Sequence, residues 1–200
     1  MFCLRALALT LTSLSLLLPA AAMAQDPAPS PTGGAAFPPP PPPIVNVTVP
    51  GALAKLLPDG TAAAPADAPP QVQQAIWAAN QIQDKPYIYG GGHGSFTADG
   101  YDCSGTVSYA LHGGGLLTAP LDSSSFMSWG MAGPGQWITV FTNPGHAYVV
   151  IAGLRLDTSA AGVTRDAKLA GFAKALQSGP RWRPTQRSSH GYKKRHPVGF

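Results

Sequence analysis

The hydrophobic pattern of the chain predicts two amphipathic helices in its middle part. Between residues 72 and 82, apolar side chains recur at three- and four-residue intervals, and Pro86 stops the pattern. The same spacing recurs from Cys103 onward, until the glycines of Gly113–Gly115 end it. Asp102 precedes this second pattern and is a favourable N-cap residue. The sequence therefore places Cys103 in the first turn of a helix.

Alternating apolar positions further along the chain predict antiparallel strands. Residues 137–141 have the pattern of one strand, and residues 145–158 have the pattern of a β-hairpin that turns at Ala152-Gly153. In that register His146 and Asp157 are diagonal neighbours on the same face, with backbones about 7 Å apart and side chains within reach. The opposite face is predicted to be core and consists of Ala147, Val149, Ile151, Leu154 and Leu156.

The first 70 residues lack these patterns and are predicted to lie outside the folded domain. Residues 1–24 have a basic start, an apolar run from Leu7 to Leu18 and an Ala-x-Ala site, which together predict a secretory signal peptide. An uncleaved anchor is the alternative, although the run is short for a membrane span. Residues 25–70 are rich in Pro and Ala, which predicts a disordered linker, with the polyproline run as a spacer or as a ligand for a partner. Residues 71–200 then form the domain.

The candidate chemistry centres on Cys103. The chain has two cysteines, and Cys3 would leave with the signal peptide, so Cys103 would be unpaired in an oxidising compartment. The free N–H groups and the dipole of the helix start favour its reactive thiolate form. His146, oriented by the carboxylate of Asp157, would supply the base that a thiol nucleophile needs. The alternatives are a buried thiol that only packs, a structural histidine and a surface aspartate paired with Arg155.

Four stretches resemble the NlpC-type bacterial cell-wall cysteine peptidases, a circularly permuted branch of the papain-like enzymes. They are Pro86-Tyr87-Ile88-Tyr89-Gly90-Gly91, Asp102-Cys103-Ser104-Gly105, Leu121-Asp122-Ser123-Ser124-Ser125 and Gly145-His146-Ala147-Tyr148-Val149-Val150-Ile151, which occur in the family's order. The resemblance implies an α+β, papain-like fold in which N-terminal helices pack on an antiparallel sheet. It implies that Cys103 is the nucleophile and His146 the base. It places Asp157 at the third catalytic position, where the family more often has His, Asn or Gln.

The same resemblance implies the substrate and the residues that recognise it. The family hydrolyses stem peptides of peptidoglycan, typically at the D-glutamyl bond to a diamino acid, without a cofactor. Tyr87, Asp102 and Ser104 match positions that line its active site or contact its substrate. A catalytically weak wall-binding module and an acyltransferase that uses the same Cys–His pair are the alternative functions. The signal peptide and spacer favour a secreted, periplasmic or wall-associated protein.

The charge of the chain suggests a second partner. The net charge is +4 with no glutamate, and six cations lie from residue 181 onward without an acidic residue. Such a segment favours anionic envelope polymers, with nucleic acid a poor candidate for a secreted protein. A solvated tail or a final strand at 181–183 with charged edges is the alternative. The histidines at 190 and 196 have no metal-site spacing, so no metal is predicted.

Overall fold

A computed structural model describes residues 46–163 and 177–200 of the chain. The predicted signal peptide and the predicted linker up to residue 45 lie outside the described residues. Within the described ranges, no helix is long and apolar enough to cross a membrane.

Residues 46–69 are folded, so the prediction that the linker extends to residue 70 is wrong for this part. Three short strands, β1 (Thr48–Val49), β2 (Lys55–Leu56) and β3 (Ala62–Pro65), form a sheet in the order β1-β3-β2. β1 runs parallel to β3, and β2 runs antiparallel to it. Composition suggested a spacer because these residues are rich in alanine and proline.

Small side chains are what allow β3 to pack closely. Ala62, Ala63 and Ala64 are almost completely buried, and β3 lies against helix α1 (Pro70–Asn80). The Asn80 side chain joins the two elements, because its Nδ2 donates to the Ala62 carbonyl and its Oδ1 accepts from the Ala62 N–H, both at 2.9 Å. Alanine-rich sequence therefore makes an ordered layer here rather than a spacer.

The second helix begins where the hydrophobic pattern places it. α2 spans Cys103–Gly113, and Oδ1 of its N-cap residue, Asp102, accepts a 2.8 Å hydrogen bond from the Gly105 N–H. The glycines after residue 112 end it as predicted. α1 and α2 pack against each other and bury the predicted apolar faces, which consist of Val72, Ala75, Ile76, Ala79, Val107, Ala110 and Leu111.

The larger sheet has six antiparallel strands, which together with the helices confirms the predicted α+β class. After the short helix α3 (Ser123–Phe126), the strands are β4 (Met131–Ala132), β5 (Ile138–Asn143), β6 (His146–Ile151), β7 (Leu154–Asp157), β8 (Arg181–Arg183) and β9 (Lys193–His196). Their spatial order is β4-β9-β5-β6-β7-β8. β9 therefore lies between two strands that precede it in the chain. α2 packs on β6, which brings the start of the Cys103 helix towards the strand that begins with His146.

The β6–β7 hairpin has the predicted register. Ile151 pairs with Leu154, and the turn between them has positive φ at both Ala152 (47°) and Gly153 (83°). Two residues with positive φ make the tight turn whose twist suits a hairpin. The five predicted core residues of the hairpin are all buried.

Replacing Gly105 with alanine is expected to destabilise the protein, although the same change usually stabilises a helix by about 1 kcal/mol. A Cβ at Gly105 would collide with the carbonyl oxygen of Gly91, which also accepts a 3.1 Å hydrogen bond from the Asp102 N–H. Relieving such a collision typically costs about 1–3 kcal/mol. Chemical denaturation of the variant measures the loss. Gly94→Ala is the control, because a Cβ at Gly94 meets nothing within 4 Å; equal stability of both variants would contradict the expectation.

Candidate active site

Cys103 is the first residue of α2, and its side chain reaches a cleft between the helix and the sheet. The residue is 8% exposed, and it is the free cysteine of the described residues. As a first-turn residue, its backbone N–H has no acceptor within the helix. The thiol therefore lies beside unpaired N–H groups and the positive end of the α2 dipole, as the sequence predicts.

The hairpin brings His146 and Asp157 into direct contact. Nε2 of His146 is 3.0 Å from Oδ1 of Asp157, whose side chain is fully buried. Since Nε2 faces the carboxylate, Nδ1 is the ring nitrogen left for the Cys103 thiol, which interacts with the imidazole. The Asn143 side chain fixes the start of β6 by accepting a 2.9 Å hydrogen bond from the His146 N–H. The three residues predicted to be catalytic thus meet in one place.

The surroundings of His146 favour its protonated form. Burial alone would lower its pKa, but hydrogen bonds to Asp157 and Cys103, together with their charges, raise the pKa from 6.5 to about 9. For Asp157, burial acts to raise the pKa, and the hydrogen bonds from His146 and from the Ser159 N–H outweigh it, so the pKa lies below its usual value. The pair is therefore an imidazolium held by a carboxylate across the neutral pH range.

The cleft beside Cys103 has room for a peptide segment. Its volume is about 430 Å³, and the turn that precedes His146 forms part of its wall. Its lining includes the predicted recognition residues, namely Tyr87, Asp102 and Ser104, together with His93 and Asp122. The pKa of Tyr87 is raised, first by burial and then by the charges of Cys103 and Asp102. A groove of about 410 Å³ lies around Trp77 and Tyr109, but it has no thiol or carboxylate in its lining.

A polar cluster occupies one side of the cleft. His93 Nε2 is 2.9 Å from Oδ2 of Asp102 and 3.0 Å from Oγ of Ser104. The Ser104 hydroxyl donates to Oδ1 of Asp102 at 3.2 Å. The structure thus places His93 against two of the predicted recognition residues. Among the residues that the structure describes, no three His, Cys, Asp or Glu side chains are grouped so that they could hold a metal ion.

Sequence reasoning missed the residues that cover the His146–Asp157 pair. Arg187 Nη1 is 3.1 Å from Oδ2 of Asp157, and the Tyr192 ring contacts that of His146 edge-on, with centroids 6.3 Å apart. Tyr148 lies beside both, 5.2 Å from the Tyr192 ring. Arg187 and Tyr192 belong to the segment between β8 and β9, 30 or more residues from Asp157. No periodic pattern connects such distant positions.

The basic C-terminal segment is less exposed than its composition predicts. Arg181 and Arg183 are buried in β8, where Arg181 Nη1 donates to the Pro180 carbonyl at 2.7 Å and Arg183 Nε to the Asp157 carbonyl at 3.0 Å. The guanidinium of Arg195 similarly donates to the Trp129 and Gly130 carbonyls. Of the six cations only Lys193 and Lys194 are exposed. A binding surface made of all six is therefore ruled out, because backbone carbonyls and a carboxylate take up the arginines.

Comparison with known proteins gives a likeness to solved structures. No family model matches the chain, and no curated protein matches it. A solved structure of the peptidoglycan hydrolase RipB from Mycobacterium tuberculosis is similar, with a TM-score of 0.44 and 20% sequence identity. The match covers 65% of this chain and 66% of that one, which is just under two thirds of its length. At this level of similarity the function has to be argued from the site itself.

Proposed function

We propose that this protein is a secreted cysteine peptidase that hydrolyses amide bonds in the stem peptides of peptidoglycan. The observation that carries the proposal is the arrangement of Cys103, His146 and Asp157. A thiol at a helix N-terminus interacts with an imidazole, and a buried carboxylate holds the other ring nitrogen at 3.0 Å. A nucleophile, a base and an orienting group in this order are what acyl transfer requires.

The geometry supports a two-step reaction. In the reactive ion pair His146 holds the proton that Cys103 has given up, and the Cys103 thiolate attacks the amide carbonyl to form a tetrahedral oxyanion. The free N–H of Cys103 is positioned to donate to that oxyanion. The imidazolium then protonates the leaving amine, which gives a thioester that water hydrolyses. Because the His146 pKa is about 9, the proton for the leaving amine is available throughout the neutral range.

The choice of substrate rests on the motifs that resemble the NlpC-type peptidases. In that family the bond cut is typically between D-glutamate and a diamino acid. The polar side of the cleft, with Asp102, Ser104 and His93, offers the carboxylate and hydroxyl groups that would bind polar parts of a peptide. The signal peptide predicted for residues 1–24 would deliver the protein to the compartment where this polymer lies.

Incubation of the full chain with purified peptidoglycan fragments is the direct test. Mass spectrometry would identify any new stem-peptide fragments and so name the bond, and a parallel sample would first be treated with a thiol-alkylating reagent. We expect fragments in the first sample and none in the second, because alkylation blocks the nucleophile. Fragments of equal yield in both samples would contradict the proposal.

Two other outcomes identify the alternative functions. A protein that binds the fragments without cutting them, and whose binding survives Cys103→Ser, would be a binding module on the same fold. Products in which an added amine replaces water at the acyl group would identify an acyltransferase, since both reactions share the thioester.

A further inference from the structure

Both carboxylate oxygens of Asp157 make polar contacts, and the two oxygens have different partners. Oδ1 contacts His146 Nε2 at 3.0 Å and accepts a 2.9 Å hydrogen bond from the Ser159 N–H. Oδ2 is 3.1 Å from Arg187 Nη1. Rotation of the carboxylate would break all of these contacts at once, so its orientation toward His146 depends on what holds Oδ2.

The Arg187 side chain is more buried than the side chains of a surface ion pair, and two aromatic rings pack on it. Its side chain is 18% exposed and that of Asp157 is 0% exposed. Its guanidinium lies 5.3 Å from the ring centroid of Tyr148 and 5.5 Å from that of Tyr192. Aromatic faces attract a guanidinium and leave its planar donors directed at the carboxylate.

Two other cations lie close to Asp157. Arg155 Nη1 is 3.6 Å from Oδ2 of Asp157, beyond hydrogen-bond distance, and donates instead to the Ala161 carbonyl at 2.7 Å. Arg183 Nε donates to the backbone carbonyl of Asp157 at 3.0 Å. Arg187 Nη1, at 3.1 Å, is within hydrogen-bond distance of Oδ2, whereas Arg155 is not.

We propose that Arg187 is a positioning residue for the proposed catalytic group, which makes the functional unit Cys103–His146–Asp157–Arg187. It acts through Asp157, whose Oδ1 it keeps directed at His146, and it does not touch the substrate. The inference rests on the proposed function for its catalytic meaning, while the positioning itself can be measured in the absence of substrate.

Positioning and simple charge predict opposite effects on the imidazole. A cation near an imidazolium disfavours the charged form, so its removal alone would raise the His146 pKa. If Arg187 instead keeps the carboxylate on His146, its loss lets the carboxylate turn away and lowers that pKa. The groups that face the pair are Cys103, Tyr148, Arg155, Arg183 and Tyr192, and none of them is substituted in the variants.

The test is an NMR titration of the His146 ring in the full chain, with His146→Gln used to assign the signal. In Arg187→Gln we expect the His146 pKa to fall by about one pH unit or more. In Arg187→Lys, which keeps the charge but lacks the planar fork, we expect a smaller fall. The rate of Cys103 alkylation at neutral pH should also fall in Arg187→Gln, by up to about tenfold, because a fall of one unit in the His146 pKa weakens the thiolate–imidazolium pair by that factor.

Lys193→Met is the matched control, because Lys193 is an exposed cation of the same C-terminal segment; its His146 pKa should equal that of the parent. Thermal unfolding shows whether each variant is folded. If Arg187→Gln does not fold, Arg187→Lys decides the question alone. A fall in the His146 pKa supports the positioning role, and an unchanged or raised pKa overturns it. A protein without peptidase activity would still give this titration, so the two failures are distinguishable.

Discussion

Cys103→Ala is expected to abolish hydrolysis of stem peptides while leaving the fold intact. The substitution removes the atom that forms the thioester, and removal of a nucleophile typically lowers turnover by about 10⁴-fold or more. Stability should change little, because alanine is a good helix former and Cys103 is the first residue of α2. The rate of fragment formation measured by mass spectrometry, together with thermal unfolding, checks both parts.

Ser128→Ala serves as the control for Cys103→Ala. Ser128 is exposed, and its hydroxyl bonds only locally, to the Ser125 carbonyl. This variant should retain full activity. A Cys103→Ala protein as active as the parent would contradict both the peptidase and the acyltransferase hypotheses, since each reaction needs the thiol.

Asp157→Asn is expected to lower activity by about 10³-fold, within the range for loss of general acid–base function, and to change its pH dependence. The parent should lose activity above pH 9, where His146, with a pKa of about 9, loses its proton. The neutral amide removes the charge that raises this pKa, so the pH above which activity is lost should move from about 9 toward 6.5. Rates measured from pH 5 to 10 test this. If the variant still loses activity only near pH 9, Asp157 does not set the His146 pKa.

The same substitution should change stability in a pH-dependent way. Losing the buried carboxylate between arginines typically costs about 3–5 kcal/mol, so the assays belong at low temperature. The raised His146 pKa stabilises the folded state fully below 6.5, and this contribution is lost as the pH rises through 9. The lowered Asp157 pKa stabilises it above 3.8, and this contribution is lost as the pH falls through the folded-state value. The loss in free energy of unfolding caused by Asp157→Asn should thus be largest between about pH 4 and 6.5. Asp67→Asn, an exposed control, should show no such loss.

The local part of the site could be predicted because it depends on short-range rules. Asp102 caps α2 through its own side chain, which fixes where Cys103 lies on the helix. The two-residue turn at Ala152-Gly153 fixes the register that brings His146 to Asp157. Each inference needed only a helical period, a strand period and a turn, all contained within 15 residues.

The rest of the site depends on contacts that no local pattern contains. Arg187 was interpreted as part of a cationic surface, because composition gives its charge and not its partner. The burial of Arg181 and Arg183 depends on β8 joining β7, so that carbonyls far back in the sequence accept their hydrogen bonds. In residues 46–69, the alanine content suggested a spacer. Small side chains become an advantage only where β3 packs against α1, and the local sequence does not reveal that contact.

The position of β9 has a consequence for how the protein is made. β9 pairs with β5 and β4 in the sheet, although it begins 50 or more residues after each of them ends. Until residues 193–196 emerge, the nascent chain has β5 with a bare edge that could pair with other chains. Arg187 and Tyr192 arrive just before β9, so the thiol and the imidazole are synthesised well before the groups that hold them in place. A chain released before residue 187 would carry Cys103, His146 and Asp157 and still lack Arg187 and Tyr192, so we expect it not to assemble the proposed site.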